Sequence, residues 1–211
     1  MCDKKIKEFI ESTNHFQSGL LGQIQKYALE NDVPIISKEM SGFLSLILNL
    51  KRPQKILELG CAIAYSSILM SQFIRNDGYI ITIERSEKMA QLARNNIAKS
   101  NRHNIKLIED DIENVLPYLK DSFDIIFLDA AKGQYVNILP YCISLLNDNG
   151  IIIADDIMQK GNIIKNRYDI PRRQRTIHTR MNKFIREIFN NPALSANIFN
   201  IDDGVIVAQK I

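Results

Sequence analysis

The chain has 211 residues, 45% hydrophobic and 24% charged. Those values suit a globular domain that buries its own core, and they exclude a disordered chain. The net charge of +3 says little as a total, but its distribution is uneven: Lys160 to Arg186 holds nine basic residues against one acid, Asp169, a local +8 that leaves −5 elsewhere.

Cys2, Cys61 and Cys142 are odd in number, far apart and without C-x-x-C spacing, which points to a reducing compartment. The amino terminus lacks an apolar signal core, and no stretch is long enough to span a bilayer. A cytoplasmic protein with no membrane partner is the expectation.

In chain order, Ile6, Phe9, Ile10, Leu20, Leu21, Ile24, Tyr27 and Ala28 recur at helical spacing. Pro34 breaks that pattern. A second helix is predicted from about Ser37, with Phe43, Leu44, Ile47 and Leu48 as its apolar stripe. After Pro53, short apolar runs alternate with amphipathic stretches. The runs are Lys55–Leu59, Tyr79–Ile83, Ile105–Ile108, Phe123–Leu128 and Ile151–Ala154. Between them lie Tyr65–Arg75, Glu87–Ser100, Val115–Leu119 and Tyr135–Leu146. Continuous apolar strands separated by helices predict a parallel sheet covered on both faces, the doubly wound α/β class. A basic amphipathic helix is predicted over Gln174–Phe189. Two strands follow, Asn197–Ile201 and Val205–Gln209, joined through Asp203-Gly204. The expected organisation is one domain: a helical cap over 1–52 and a Rossmann-like core over 53–211, closed by an antiparallel hairpin.

Ligands of such sheets sit beyond the carboxyl ends of the strands. There the sequence presents Glu58 with Gly60, then Glu84, then Glu109-Asp110-Asp111, then Asp129, then Asp155-Asp156. Acid at every tip would repel a dinucleotide pyrophosphate, and the G-x-G-x-x-G that such a ligand needs is reduced to Gly60. A cationic ligand bearing a ribose suits the tips better, and S-adenosylmethionine is one, with a sulfonium, an ammonium and two ribose hydroxyls. Glu84 stands where an acid accepts hydrogen bonds from a ribose. Helix capping is the alternative role for any one of these acids.

Lys55-Ile-Leu-Glu-Leu-Gly-Cys-Ala-Ile-Ala-Tyr-Ser-Ser67 resembles the first motif of the catechol O-methyltransferase-like family. Phe123-Asp-Ile-Ile-Phe-Leu-Asp-Ala-Ala-Lys-Gly-Gln-Tyr135 resembles that family's metal and lysine motif, and Ile151-Ile-Ile-Ala-Asp-Asp-Ile157 its second metal motif. The resemblance runs from about Val33 to the end of the chain. Within the family, the bacterial tRNA 5-hydroxyuridine methyltransferases are the most similar branch, through Asp129–Tyr135, Val33-Pro-Ile35, Arg172-Arg-Gln-Arg-Thr176 and Asp203-Gly-Val-Ile-Val207.

The resemblance implies a seven-stranded, mostly parallel class I methyltransferase sheet. It implies cofactor contacts at Ile36 (main chain), Glu58, Gly60, Ser66, Glu84, Asp111, Ile112 and Asp129. The implied metal ligands are Asp129, Asp155 and Asp156, for Mg²⁺ or another hard divalent ion such as Mn²⁺ or Ca²⁺. Lys132 is implied beside the hydroxyl to be methylated, acting with Asp129. A homodimer is also implied. Two positions depart from the family pattern: Ala64 stands for a glycine, which an alanine replaces without strain only at negative φ, and Asp156 stands for an asparagine.

A metal at the acceptor favours two neighbouring oxygens, as in catechols or in 5-hydroxyuridine. The basic segment separates the two, because Arg172, Arg173, Arg175 and Arg180 suit phosphate recognition on an anticodon loop whose base is unstacked. A solvated helix face is the alternative for those charges. Ile177, Met181, Phe184, Ile185 and Ile188 are expected to form the apolar face of that helix. His15, His103 and His178 lack ligand spacing and are expected to be surface or satisfied polar residues. The expected activity is methylation of tRNA wobble 5-hydroxyuridine to 5-methoxyuridine. Its rivals are methylation of a small catechol or caffeoyl-type phenol, and a non-catalytic cofactor- or RNA-binding protein.

Overall fold

The computed structural model describes Lys5, Phe9, Ser12, Thr13 and residues 18–211. The expectations for Cys2, Ile6, Ile10 and His15 lie outside the described residues. The five apolar runs form β1 (Lys55–Leu59), β2 (Tyr79–Glu84), β3 (Ile105–Glu109), β4 (Phe123–Leu128) and β5 (Leu146–Ala154). They pair in parallel, β2 with β3 and β1, then β1 with β4 and β4 with β5. The hairpin strands β6 (Leu194–Phe199) and β7 (Val205–Lys210) add antiparallel to β5 through β7. The seven-strand order is β3-β2-β1-β4-β5-β7-β6. Strand order reverses between β1 and β4, so a crevice opens at their carboxyl ends.

The helices are α1 (Gly19–Glu30), α2 (Lys38–Lys51), α3 (Tyr65–Ser71), α4 (Glu87–Ser100), α5 (Ile112–Val115), α6 (Tyr135–Leu145) and α7 (Arg175–Phe189). Local chemistry starts two of them. The Ser37 hydroxyl accepts from Met40 N–H at 3.0 Å, and Ser86 accepts from Met89 N–H at 3.4 Å, each taking up a donor the helix leaves unpaired. α3 ends at Ser71, short of the expected Arg75. The expected helix over Val115–Leu119 is instead α5 followed by a 3-10 turn at Leu116–Tyr118.

Side chains alternate across each strand, so the sheet has two cores. Leu57, Leu59, Ile126 and Leu128 face α6 and α7 through Ile138, Cys142, Met181 and Phe184. Ile56, Ile80, Ile125 and Phe127 face α1, α2 and α3 through Ile24, Met40, Leu44 and Ile68. The α7 face differs from expectation by one position. His178 is buried with Met181, Phe184 and Ile188, while Ile177 is 38% exposed. The imidazole Nε2 lies 3.2 Å from the Lys165 carbonyl, a polar contact that isoleucine could not make. Among the described residues, no helix is long and apolar enough to cross a membrane.

Candidate active site

The strand tips are stitched together by backbone. Gly60 N–H donates to Ile83 O at 2.9 Å, Asp129 N–H to Leu59 O at 3.0 Å, and Asp155 N–H to Leu128 O at 3.0 Å. Gly60 has φ +91°, and a Cβ there would lie 2.4 Å from Asp129 O. Glycine is therefore required where the β1 turn crosses the β4 tip.

A cavity of about 330 Å³ opens over these tips, lined by Ile36, Gly60, Ser66, Glu84, Ile112 and Asp129 of the expected set. Glu84 is held in place by accepting from Ala62 N–H at 3.0 Å and Ser86 N–H at 2.8 Å. Asp111 stands just behind the lining. It caps α5 through Glu113 N–H and accepts from Gln134 Nε2 at 2.9 Å, while Arg85 Nη1 lies 3.7 Å away. Gln134 and Arg85 themselves line the cavity. Sequence reading passed over both, because neither belongs to a strand tip.

Glu58 differs from its expected place. It is fully buried, and its two oxygens accept from the Ser66 and Ser67 hydroxyls. Strand alternation explains this: Glu58 shares a face with Ile56, toward α3, while Leu57 and Leu59 take the other. Glu58 thus fixes the start of α3 from behind. Burial pushes its carboxyl up to about 7, against the pull of the Ser66 and Ser67 hydrogen bonds. Ala64 has φ +65°, so the negative φ that would leave an alanine unstrained there is not met. The alanine adopts the left-handed conformation that a glycine would take freely, at a cost of roughly 1–2 kcal/mol.

A second cavity, of about 340 Å³, lies on the far side of Asp129 and Asp156. It is lined by Asp155, Lys160, Asp202 and Asp203 as well, and it shares Pro34, Ile35, Ile36, Asp129 and Asp156 with the first. Its outer wall is the β6–β7 hairpin tip, tied in by Ile157 N–H to Gly204 O at 3.0 Å and Met158 N–H to Asp203 O at 2.8 Å. The Asp203 carboxylate accepts from Lys160 N–H, and Ser37 bonds Asp202.

Where the cavities meet, Lys132 Nζ sits 3.1 Å from Asp156 Oδ2 and 3.7 Å from Asp129 Oδ1. Burial pushes the Asp129 carboxyl up, and repulsion from Asp156 and Glu84 adds to it. Asp155 is raised to about 7, first by burial and then by Asp129 and Asp156. Tyr135, fully buried at the start of α6, donates to Leu128 O at 2.9 Å and packs edge-on to Phe184. It braces the β4 tip, a role that its place in a helical pattern did not reveal.

The three acids expected to hold a metal share this cleft, but they are not drawn together around one point. Among the described residues, no group of three acidic, histidine or cysteine side chains forms a converged ligand set. Asp155 Oδ1 instead accepts from Asp156 N–H at 2.7 Å, and Lys132 bridges the other two. The donor chemistry itself fits a hard divalent cation: three carboxylates whose mutual repulsion a 2+ charge would relieve.

Of the four arginines expected to meet phosphate, Arg172 and Arg173 are exposed on the 3-10 turn ahead of α7. Arg175 turns inward, donating to Ile170 O at 3.3 Å and Tyr168 O at 3.1 Å above the Tyr168 ring. Arg180 donates to Gly133 O at 3.0 Å.

A family model described as O-methyltransferase matches residues 11–211. The chain belongs to the O-methyltransferase family. A catechol O-methyltransferase from Niastella koreensis is 29% identical over 171 residues, 74% of this chain and 77% of that one. A caffeoyl-CoA O-methyltransferase from Populus kitakamiensis is 23% identical, covering 99% of this chain and 87% of its own. Among solved structures, an SAH-bound methyltransferase from Podospora anserina superposes with TM-score 0.89 at 24% identity, over 100% of this chain and 95% of that one. An O-methyltransferase from Bacillus cereus in complex with SAH gives 0.87 at 22% identity, over 98% and 97%. At these identities the two structures establish the shared fold of the family.

Proposed function

We propose that this O-methyltransferase takes its methyl group from S-adenosylmethionine and delivers it to the 5-hydroxyl of 5-hydroxyuridine at the tRNA wobble position, forming 5-methoxyuridine. The observation that carries the transfer reading is the meeting of two cavities at Asp129, Lys132 and Asp156. One cavity has the acid expected for a ribose, and the other is open to a second reactant. SAH in the Podospora and Bacillus proteins supports the donor assignment.

In this reading Glu84, fixed by two backbone N–H groups, accepts from the ribose hydroxyls. Gly60 lets the methionine moiety approach backbone, and Ser66 lines the same wall. The acids at the tips favour the sulfonium charge. The acceptor lies in the second cavity with its hydroxyl at the Asp129–Lys132–Asp156 junction. Lys132 Nζ is the candidate acceptor of the hydroxyl proton, a task it performs only where it enters the step as the neutral amine. The oxygen forms a bond to the methyl carbon as the carbon–sulfur bond breaks, leaving a neutral thioether, and holding the partners in line supplies much of the rate. Asp129, Asp155 and Asp156 would hold a divalent cation, whose chemistry is Lewis acidity toward the acceptor oxygen.

The RNA assignment is supported by exposed Arg172 and Arg173, by Tyr168 at 75% exposure under the Arg175 guanidinium, and by Lys160 on the wall of the acceptor cavity. Cations beside an exposed aromatic ring suit a phosphate backbone and an unstacked base. A small catechol is the second reading, favoured by the names of the curated relatives. The test is nucleoside analysis of tRNA from cells lacking the protein, paired with purified protein, S-adenosylmethionine and that tRNA. Accumulated 5-hydroxyuridine, methylated in vitro with a steep loss of binding in added salt, supports the RNA reading. An unaltered nucleoside profile with turnover of a catechol replaces it with the second.

A further inference from the structure

The basic helix reaches the reacting cleft at one point. Arg180, on α7, donates from Nη1 to Gly133 O at 3.0 Å. Gly133 is flanked by two residues that both line the first cavity and hold different carboxylates. Lys132 reaches Asp129 and Asp156, and Gln134 lines the first cavity and donates to Asp111. A Cβ built on Gly133 would find Arg180 Nη1 as its nearest neighbour, 3.8 Å away. Within the turn, Gln134 N–H donates to Ala131 O at 2.8 Å, and the Gln134 carbonyl accepts from Asn137 N–H at 2.9 Å and Ile138 N–H at 3.1 Å, so of these the Gly133 carbonyl is the group that Arg180 holds.

We infer that Arg180 is a positioning residue. Its guanidinium pins the Gly133 carbonyl, and through it holds Lys132 toward the carboxylates and Gln134 toward Asp111 and the cofactor cavity. This assigns Arg180 a task other than the phosphate contact expected from its place in the basic run. A hydrogen bond from a charged donor to a carbonyl is stronger than one between neutral groups, and here it acts on the one carbonyl between Lys132 and Gln134. The kinetic part of the inference rests on the methyl-transfer reading, whereas its structural part does not.

The test uses the full chain with Arg180→Ala and Arg180→Lys, after thermal melts show that both fold. Hydrogen exchange at the Gln134 amide reports the turn directly. Calorimetric titration with S-adenosylmethionine reports the Gln134 side. Turnover of the free nucleoside 5-hydroxyuridine and of catechol, which carry no phosphate, reports the Lys132 side. Arg180→Ala should speed exchange at Gln134 about tenfold, the equivalent of roughly 1.4 kcal/mol, and weaken cofactor binding about three-fold or more. It should also lower kcat on the phosphate-free acceptor with KM little changed, and Arg180→Lys should recover part of each. Unchanged exchange and cofactor affinity overturn the inference, as does a defect confined to KM for tRNA, which would mark a phosphate contact. If the wild-type protein methylates no acceptor, the functional reading fails while exchange and cofactor affinity still decide the role of Arg180.

Discussion

The two cavities that meet at Asp129 are built on different principles. On the cofactor side the acids stand on strand ends and each is held by a neighbour. Glu58 is held by two serines, Glu84 by two backbone N–H groups, and Asp111 by Gln134 and its own helix. On the acceptor side the backbone is irregular. Asp156, Gln159 and Lys160 all have positive φ, as Ala62 and Ala64 do on the cofactor side, but here three 3-10 turns separate β5 from α7 where the cofactor side passes straight from strand to helix. Non-glycine residues in that region cost about 1–3 kcal/mol each, and they persist because the hairpin tip ties the loop at Ile157, Met158 and Lys160. The regular half fits a ligand common to the family. On the proposed methyl-transfer reading, the irregular half, made of loops whose side chains can change without disturbing the sheet, is where acceptor choice would reside.

The largest effect is expected where the halves join. Asp129→Asn should lower turnover on the order of 10³-fold, the equivalent of several kcal/mol of lost charge stabilisation, in steady-state assays on either acceptor. Lys132→Ala should lower kcat by about 10²-fold or more while calorimetry shows the cofactor still bound. Equal kcat values for Lys132→Ala and wild type would remove Lys132 from the chemistry and leave it a mere counter-ion.

The remaining predictions probe the regular half alone. Glu58, raised from 4.5 to about 7 in the folded chain, keeps its proton in a pH range where the unfolded chain has lost it. Its contribution to stability is therefore complete below pH 4.5 and disappears as the pH rises through about 7. Thermal melts of the ligand-free protein should show that decline, and Glu58→Gln should flatten it; a Glu58→Gln protein with the same pH slope as wild type would show that other groups govern it. The smallest effect concerns Ala64. With φ +65°, Ala64→Gly should relieve about 1 kcal/mol of backbone strain and raise the melting temperature by roughly 2–4 °C. A lowered melting temperature would show that packing of the buried methyl outweighs the strain.

The strands, their parallel order class and the acids at their tips were legible in the chain itself. Period-two and period-3.6 patterns follow from backbone geometry, which each segment carries alone. β1, β4 and α4 accordingly fall on the expected bounds, Lys55–Leu59, Phe123–Leu128 and Glu87–Ser100. Tertiary contacts decided where the polar side chains point. Glu58 turned to Ser66 and Ser67, Arg175 and Arg180 turned to backbone carbonyls, and Lys132 came to bridge Asp129 and Asp156. A charged side chain on a loop has several rotamers of similar energy. The partner that selects one of them can lie far along the sequence, as Gly133 does from Arg180 and Asp156 from Lys132, and only folding brings the two within reach.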